Sequence, residues 1–253
     1  MACFIIGKGT EYKDIQSAVK DAVDGDTIYI KDGIYNESVN VGSKRIHLVG
    51  ESTDGTILKH DGTQYAYPPL EMCRGSIENM TIWATTQQGK SKSSGAYCLH
   101  CDDDASANDY LICRNVVFQN DHYQSVGIGL RPHFTISFEN CGFAGQVYCH
   151  DSDKTYADMT GQNIRFVNCS VMANNQPLGA IRMQSQEKRG AVATALFQRC
   201  IVWNGNKPGV FMGLWKDNGL AKNGWLGSTD WKLDKMSGMN NVTELNYGIS
   251  QDL

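Results

Sequence analysis

Five segments carry the residues best suited to chemistry in this chain. They are Tyr97-Cys-Leu-His-Cys-Asp102, Ile128-Gly-Leu-Arg-Pro-His133, Val147-Tyr-Cys-His-Asp151, Ile181-Arg-Met-Gln-Ser-Gln186 and Val210-Phe-Met-Gly-Leu-Trp215. Alternation points Leu99, Leu130, Cys149, Ile181 or Met183, and Met212 or Leu214 inward. The outward column then reads His100, Arg131, His150, Arg182 or Gln184, and Trp215, with Asp102, His133 and Gln186 beside it. Arginine offers a rigid fork of donors that fits carboxylates such as uronates. Histidine serves as a general base near neutral pH. Asp102 or Asp151 beside a column histidine would complete an acid/base pair, or a nucleophile and acid, for ester hydrolysis. Tyr148 and Trp215 offer flat faces to a sugar ring, and Gln184, Gln186 and His133 offer hydrogen bonds to it. His100, Asp102, Arg131, His150, Asp151 and Arg182 are therefore the expected catalytic group, and an acidic polysaccharide is the expected partner.

Metal chemistry has a weaker basis. Asp102-Asp103-Asp104 with Asn108 and Asp109, and Asp151-Ser-Asp153, supply oxygen ligands of the kind calcium takes. The first run sits in a Ser/Ala/Asn-bearing loop without a calcium-loop motif, so a solvated turn is preferred and calcium is the alternative. His100, His133 and His150 lack H-x-x-H-type spacing, so no zinc site is expected. Trp203, Trp215, Trp225 and Trp231 suit either a carbohydrate platform or an apolar plug over the end of the fold.

These residues need a scaffold that stacks equivalent positions. From about residue 75 a second set of segments supplies it: Ile77–Ile82, Cys113–Phe118, Phe138–Phe143, Phe166–Val171 and Phe197–Val202, starting 36, 25, 28 and 31 residues apart. Repeats of about 20–50 residues indicate a solenoid, and alternation within each segment makes the unit a strand. The third position is Asn79, Asn115, Asn140, Asn168 and then Arg199; the fourth is Met80, Val116, Cys141, Cys169 and Cys200. Stacking at about 4.8 Å would let an asparagine column hydrogen-bond along the stack and satisfy buried turn amides, while the cysteines fill the interior. The expected fold is all-β, a single-stranded right-handed parallel β-helix. Asp14 N-caps a helix with Ile15, Ala18, Val19 and Ala22 on one face and Gly25 as its stop. That helix would cap the open end and cover its edge strand. Asp26–Lys31 and Arg45–Gly50 read as strands, with Asp32-Gly33 as a turn pair. One domain is expected over 1–253, with a cap region at 1–40 and a covering tail at 218–253.

Composition narrows the function classes. Lys+Arg of 23 against Asp+Glu of 27 gives a net charge of −4, which argues against nucleic-acid binding. No apolar run approaches the roughly 18 residues of a membrane span. The N-terminus lacks the charged start and the apolar stretch of about 7–15 residues of a secretory signal, so a cytoplasmic, particle-associated or trimmed secreted protein is expected. Nine cysteines, of which only Cys98 and Cys101 stand in C-x-x-C spacing and on a segment that looks like a strand, read mostly as reduced, buried, small hydrophobes.

Asp14-Ile-Gln-Ser-Ala-Val-Lys-Asp-Ala22, Gly33-Ile-Tyr-Asn-Glu37 and Ile46-His-Leu-Val-Gly-Glu51 resemble the T-I-Q-x-A-V-x-x-A, G-x-Y-x-E and L-x-G-x motifs of the pectinesterase branch of the pectin-lyase-like β-helices. Ser125–Cys141 resembles that family's V-D-F-I-F-G and F-x-N-C segment, Met183–Arg189 its T-A-Q-G-R region, and Phe211–Trp215 its L-G-R-P-W. Gly224-Trp225 and Thr243–Gly248 resemble its closing motifs. The resemblance implies a β-helix and carbohydrate ester hydrolysis by two aspartates, an arginine and glutamines. Gly127 stands at the aspartate position and Leu214 at the arginine position, while Trp215 remains. The expectation is thus a pectinesterase-like hydrolase with a non-standard catalytic set. The alternatives are a non-catalytic glycan-binding or adsorption protein, for example of a phage particle, and a polysaccharide lyase.

Overall fold

The computed structural model describes residues 1–60, 68–85, 97–102, 107–151, 162–173, 176, 179–186, 193–205, 210–216, 219–220 and 231–237. The strands pair in parallel, coil upon coil, with one short antiparallel pair between 215–216 and 219–220. The chain is a right-handed parallel β-helix, and each full coil lays down three short strands in three sheets.

The first sheet holds Cys3–Ile6, Thr27–Ile30, Ile46–Gly50, the start of Gly75–Ala84 and of Tyr110–Leu130, then Thr135–Glu139, Gln162–Val167 and Ala193–Gln198. One interior rung runs Ile28, Leu48, Ile77, Cys113, Phe138, Phe166, Phe197, all fully buried. The second sheet continues it with Leu58, Ile82, Phe118, Phe143, Val171 and Val202. Phenylalanines on adjacent coils stack at 5.1–5.2 Å between centroids (Phe118–Phe143, Phe138–Phe166 and Phe166–Phe197). Burying each such ring contributes about 1.5–3 kcal/mol. The five repeated segments, from Ile77–Ile82 to Phe197–Val202, align residue for residue as their pattern implies.

Each of those segments is not one straight strand. Asn79, Asn115, Asn140 and Asn168 adopt φ of 53–55°, and Arg199 φ 51°, so the chain turns a corner there from the first sheet into the second. Asparagine tolerates this left-handed region better than other side chains with a Cβ. The column is also not inside. Asn115, Asn140 and Asn168 are exposed, and each Nδ2 donates to the Oδ1 of the preceding asparagine at 2.9, 3.4 and 3.0 Å. Arg199 donates to Asn168 at 2.6 Å. The ladder serves a corner on the surface rather than buried turn amides. The fourth position is interior: the thiols of Cys141, Cys169 and Cys200 donate to carbonyls of the previous coil at 3.3–3.4 Å.

The helix spans Ile15–Asp21, with Asp14 accepting from Ser17 N as the N-cap. Ile15, Ala18 and Val19 are buried against the first coil. Glu37 accepts from the Ile15 and Gln16 amides at the helix start, and Lys44 donates to the Val19 and Lys20 carbonyls at its end, where charge complements the helix dipole. Asp32-Gly33 makes no hairpin. Gly33 opens the next strand, Gly33–Asn36, which pairs in parallel with 56–59, and Asp32 accepts from Ser52 and Thr56 hydroxyls. All nine cysteines are free and all but Cys3 are buried. No described helix is long and apolar enough to cross a membrane.

Candidate functional site

The third sheet carries most of the candidate residues. It contains Val39–Asn40, Leu70–Glu71, Leu99–Cys101, the end of Tyr110–Leu130, the end of Gly142–Asp151, Ile181–Gln186 and Val210–Lys216. Its interior rungs are Leu70, Leu99, Val126, Val147, Ile181 and, two residues on, Cys101, Ile128, Cys149, Met183. Leu99, Leu130 and Cys149 face inward as the alternation predicts.

The outward column differs from the predicted one. It reads Glu71, His100, Gly127, Tyr148, Arg182, and the backbone of Phe211 pairs with that of Arg182. A second column places Gly129 beside His150, whose backbone is in register with Gln184 and, beyond it, Gly213. His100 and Arg182 thus share a column, but three rungs separate them, about 14 Å at strand spacing. Gln186 pairs with Trp215 four residues along the strands from Arg182 and Phe211, so Trp215 does not continue the His100 column. The side chains of Asp151, Gln184, Gln186 and Trp215 lie outside the described residues.

Arg131 does not face outward. The strand ends at Leu130, alternation stops, and the Arg131 side chain folds beneath the sheet with no exposed surface. Its guanidinium donates to the carbonyls of Cys101, at 3.0 Å, and Gly129, and to the Cys101 sulfur at 3.2 Å. It stands 3.5 Å from Asp102 and 4.5 Å from the Phe134 ring centroid. Such a group holds the face from below and cannot grip a glycan. His133 leaves the face too: it is exposed, with φ 49°, in the turn that follows the strand.

What remains on the face is a flat, π-rich strip. His100 Nδ1 lies 2.8 and 2.9 Å from the two oxygens of Glu71. With two carboxylate oxygens facing it, Nδ1 carries a proton and donates, which leaves Nε2 as the acceptor nitrogen of the neutral ring. Burial pulls the His100 pKa down, but the Glu71 hydrogen bond and charge, helped by Asp102, outweigh it and raise the net value. The Tyr97 ring stacks on His100 at 5.4 Å. Tyr148 stacks on His150 at 4.9 Å, and the Arg182 guanidinium lies 4.3 Å over the Tyr148 ring.

Two glycines make this strip possible. A Cβ on Gly127 would lie 2.5 Å from the Tyr97 ring, and one on Gly129 would strike the Asp102 carboxylate. Tyr97 and Asp102 therefore lean along the helix axis over the next coil, filling space that side chains would take. Glu71 and Tyr97 are the functional candidates that alternation missed. The signal for Glu71 was the short inward/outward pattern Leu70-Glu71-Met72, one coil before the first segment read as part of the column.

The acidic run is described only in part. Asp103, Asp104 and Asp153 lie outside the described residues. Asp109 is buried in ion pairs with Arg45 and Arg74, both at 2.6 Å; burial pushes its pKa up, but the two guanidinium groups and the Tyr110 amide hold it below the usual range. No three His, Cys, Asp or Glu side chains among the described residues are placed to hold a metal ion.

No family model matches the chain, and no curated protein matches it. Solved structures do resemble it in fold. Pectin methylesterase from Aspergillus niger superposes with a TM-score of 0.55 at 15% identity, covering 98% of this chain and 89% of that one. The enzyme from carrot gives 0.56 at 14% identity, covering 92% and 88%. A pectin methylesterase in complex with a hexasaccharide gives 0.53 at 15% identity, covering 90% and 75%. At such identity the likeness is one of fold: this chain shares the β-helix architecture of the pectin methylesterases.

Proposed function

We propose that the protein is a carbohydrate-active, pectinesterase-like ester hydrolase acting on an acidic polysaccharide through a non-standard catalytic set on the outward face of the third sheet. The observation that carries this reading is the His100–Glu71 pair, set in one column with Tyr148 and Arg182. A histidine oriented by a carboxylate is a general base in waiting. Nε2 takes a proton from water as the water oxygen attacks the ester carbonyl carbon. Glu71 holds the tautomer and stabilises the imidazolium that forms, and the imidazolium returns the proton to the departing alkoxide. Arg182, packed over Tyr148 and 7% exposed, meets a glycan carboxylate with the small part of it that reaches the face, and the Tyr97 and Tyr148 rings give a surface for sugar faces. The separation of His100 and Arg182 means that different sugar units engage them, so a polymer is a better substrate than a single esterified sugar. That a solved β-helix of the same architecture binds a hexasaccharide supports a glycan as the partner.

The second reading is non-catalytic glycan binding. It is favoured by one observation: the position where the resemblance implies a catalytic aspartate is Gly127, and the Tyr97 ring occupies the space above it.

The test is titration of acid released from methylated and acetylated uronate polymers at constant pH. Steady release that falls at least about 100-fold in His100→Ala, the scale of a lost general base, supports the hydrolase. Retention of the polymer without release supports the binding module. Unchanged release in His100→Ala and Arg182→Ala alike refutes this placement of the site.

A further inference from the structure

Below the face, unused by the proposed chemistry, lies a second reactive cluster. Arg131 is fully buried, and its Nε is buried without a hydrogen-bond partner. A buried guanidinium is costly unless an anion accompanies it. Asp102 is at 3.5 Å and keeps some contact with solvent, so it offsets the charge only in part. The nearer hydrogen-bonding partner other than carbonyl oxygen is the Cys101 sulfur, at 3.2 Å from Nη2. Cys73 sits on the preceding coil, next after Met72, whose amide donates to the His100 carbonyl at 3.0 Å, so its thiol lies beside that sulfur, and both cysteines are buried.

We infer that Cys101 is a thiolate paired with Arg131, and that Cys101 and Cys73 form a modification site at which a hydroperoxide produces a disulfide between adjacent coils. The other interior thiols contrast with this pair. Cys113 and Cys149 are pushed up by burial, and Cys169 is pushed up to about 12, first by its hydrogen bond to Cys141. Burial pushes Cys101 up as well, but the Cys73 hydrogen bond and the charge and N–H of Arg131 reverse the direction. A neighbouring guanidinium is the kind of setting that makes a thiol nucleophilic.

The chemistry balances with a hydroperoxide as the sole co-reactant. The Cys101 sulfur attacks the terminal peroxide oxygen; an S–O bond forms, the O–O bond breaks, and the departing alkoxide takes a proton from water. Cys101 is then a sulfenic acid, oxidised by two electrons, and the peroxide is reduced to an alcohol. The Cys73 sulfur attacks the Cys101 sulfur, the S–S bond forms, and hydroxide leaves with the Cys73 proton as water. Hydrogen peroxide is water-sized and reaches the pair through local opening at Leu99–Cys101, a strand of only three residues. Oxidation removes the anion beside Arg131 and leaves Asp102 as its counter-ion among the described residues, which couples the pair to the face above.

The experiment exposes the folded full chain to hydrogen peroxide, blocks free thiols after unfolding, and maps the cysteines by mass spectrometry over time. The expected result is a Cys73–Cys101 disulfide forming at least about tenfold faster than oxidation at Cys169 or Cys200, the sense set by their thiolate fractions. Cys73→Ser, a small change that keeps the fold, stops at a Cys101 sulfenic acid captured by a dione reagent. A thiolate ultraviolet band at neutral pH, absent in Cys101→Ser, reads the charge without oxidation. Cys101 remaining a thiol at the pace of the ladder cysteines, or no band assignable to it, overturns the inference.

Discussion

Replacing Glu71 by glutamine tests the pair on which the proposed chemistry rests. The amide of Glu71→Gln keeps an oxygen that accepts from His100 Nδ1, so the ring orientation survives and only the charge is lost. A charge-assisted hydrogen bond is worth about 1.5–3 kcal/mol against about 1 for a neutral one. With side-chain exposures of 30% and 28% for His100 and Glu71, solvent screening trims the difference to about 1 kcal/mol. In the wild type the raised His100 pKa contributes stability that is fully present below the unfolded value of about 6.5. That contribution fades as pH rises through the higher folded value. In Glu71→Gln the charge that offsets burial is gone, so the folded pKa drops and this stability contribution at acid pH shrinks. The assay is NMR titration of the His100 ring, paired with urea unfolding on either side of neutrality. The acid limb of the pH–rate profile should move to lower pH, and the limiting rate should fall about fivefold, the equivalent of about 1 kcal/mol. An unchanged His100 titration would refute the argument, because the Glu71 charge would then not reach the ring.

Three more perturbations probe other links. Gly129→Ala pushes the Asp102 carboxylate away from Arg131 and should lower stability in urea by about 1–3 kcal/mol; combined with Asp102→Ala the added Cβ should cost far less, a non-additivity that a double-mutant cycle reads. Asn140→Ala removes two ladder bonds and forces alanine to φ 55°, for a loss of about 2 kcal/mol, whereas Asn140→Gly keeps the backbone free and should lose about 1. Equal losses would show that the corner is not held by the left-handed preference. Arg182→Ala should raise KM for an acidic polymer about tenfold with little change in kcat, and leave binding of a neutral glycan unchanged.

The repeat was legible because packing wrote it twice. Phe138, Phe166 and Phe197 recur where rings stack along the core, and Asn115, Asn140 and Asn168 recur where the backbone must turn left-handed. Both constraints come from one coil touching the next, so both repeat with the coil. The corner itself was harder to see, since a six-residue stretch with one αL residue alternates much as a straight strand does. The third sheet was legible in facing but not in register. Its true rung sets His100 against Gly127 and His150 against Gly129. Glycines leave no polar mark on an outward face, so Arg131, four residues beyond Gly127, supplied the missing charge to the eye. Only the end of the strand at Leu130 turns that arginine inward. Glu71 escaped because its strand is two residues long, too short for a period to show, and Tyr97 because its partner is an absence, the missing Cβ of Gly127.

The most direct test is a crystal structure of the His100→Ala variant soaked with a methyl-esterified oligouronide. The expected result is a chain of sugars lying along the third sheet, an ester over the vacated His100 position beside Glu71 and Tyr97, and a free carboxylate at Arg182. An oligosaccharide bound to either of the other sheets, or none bound at saturating concentration, would contradict the proposed site.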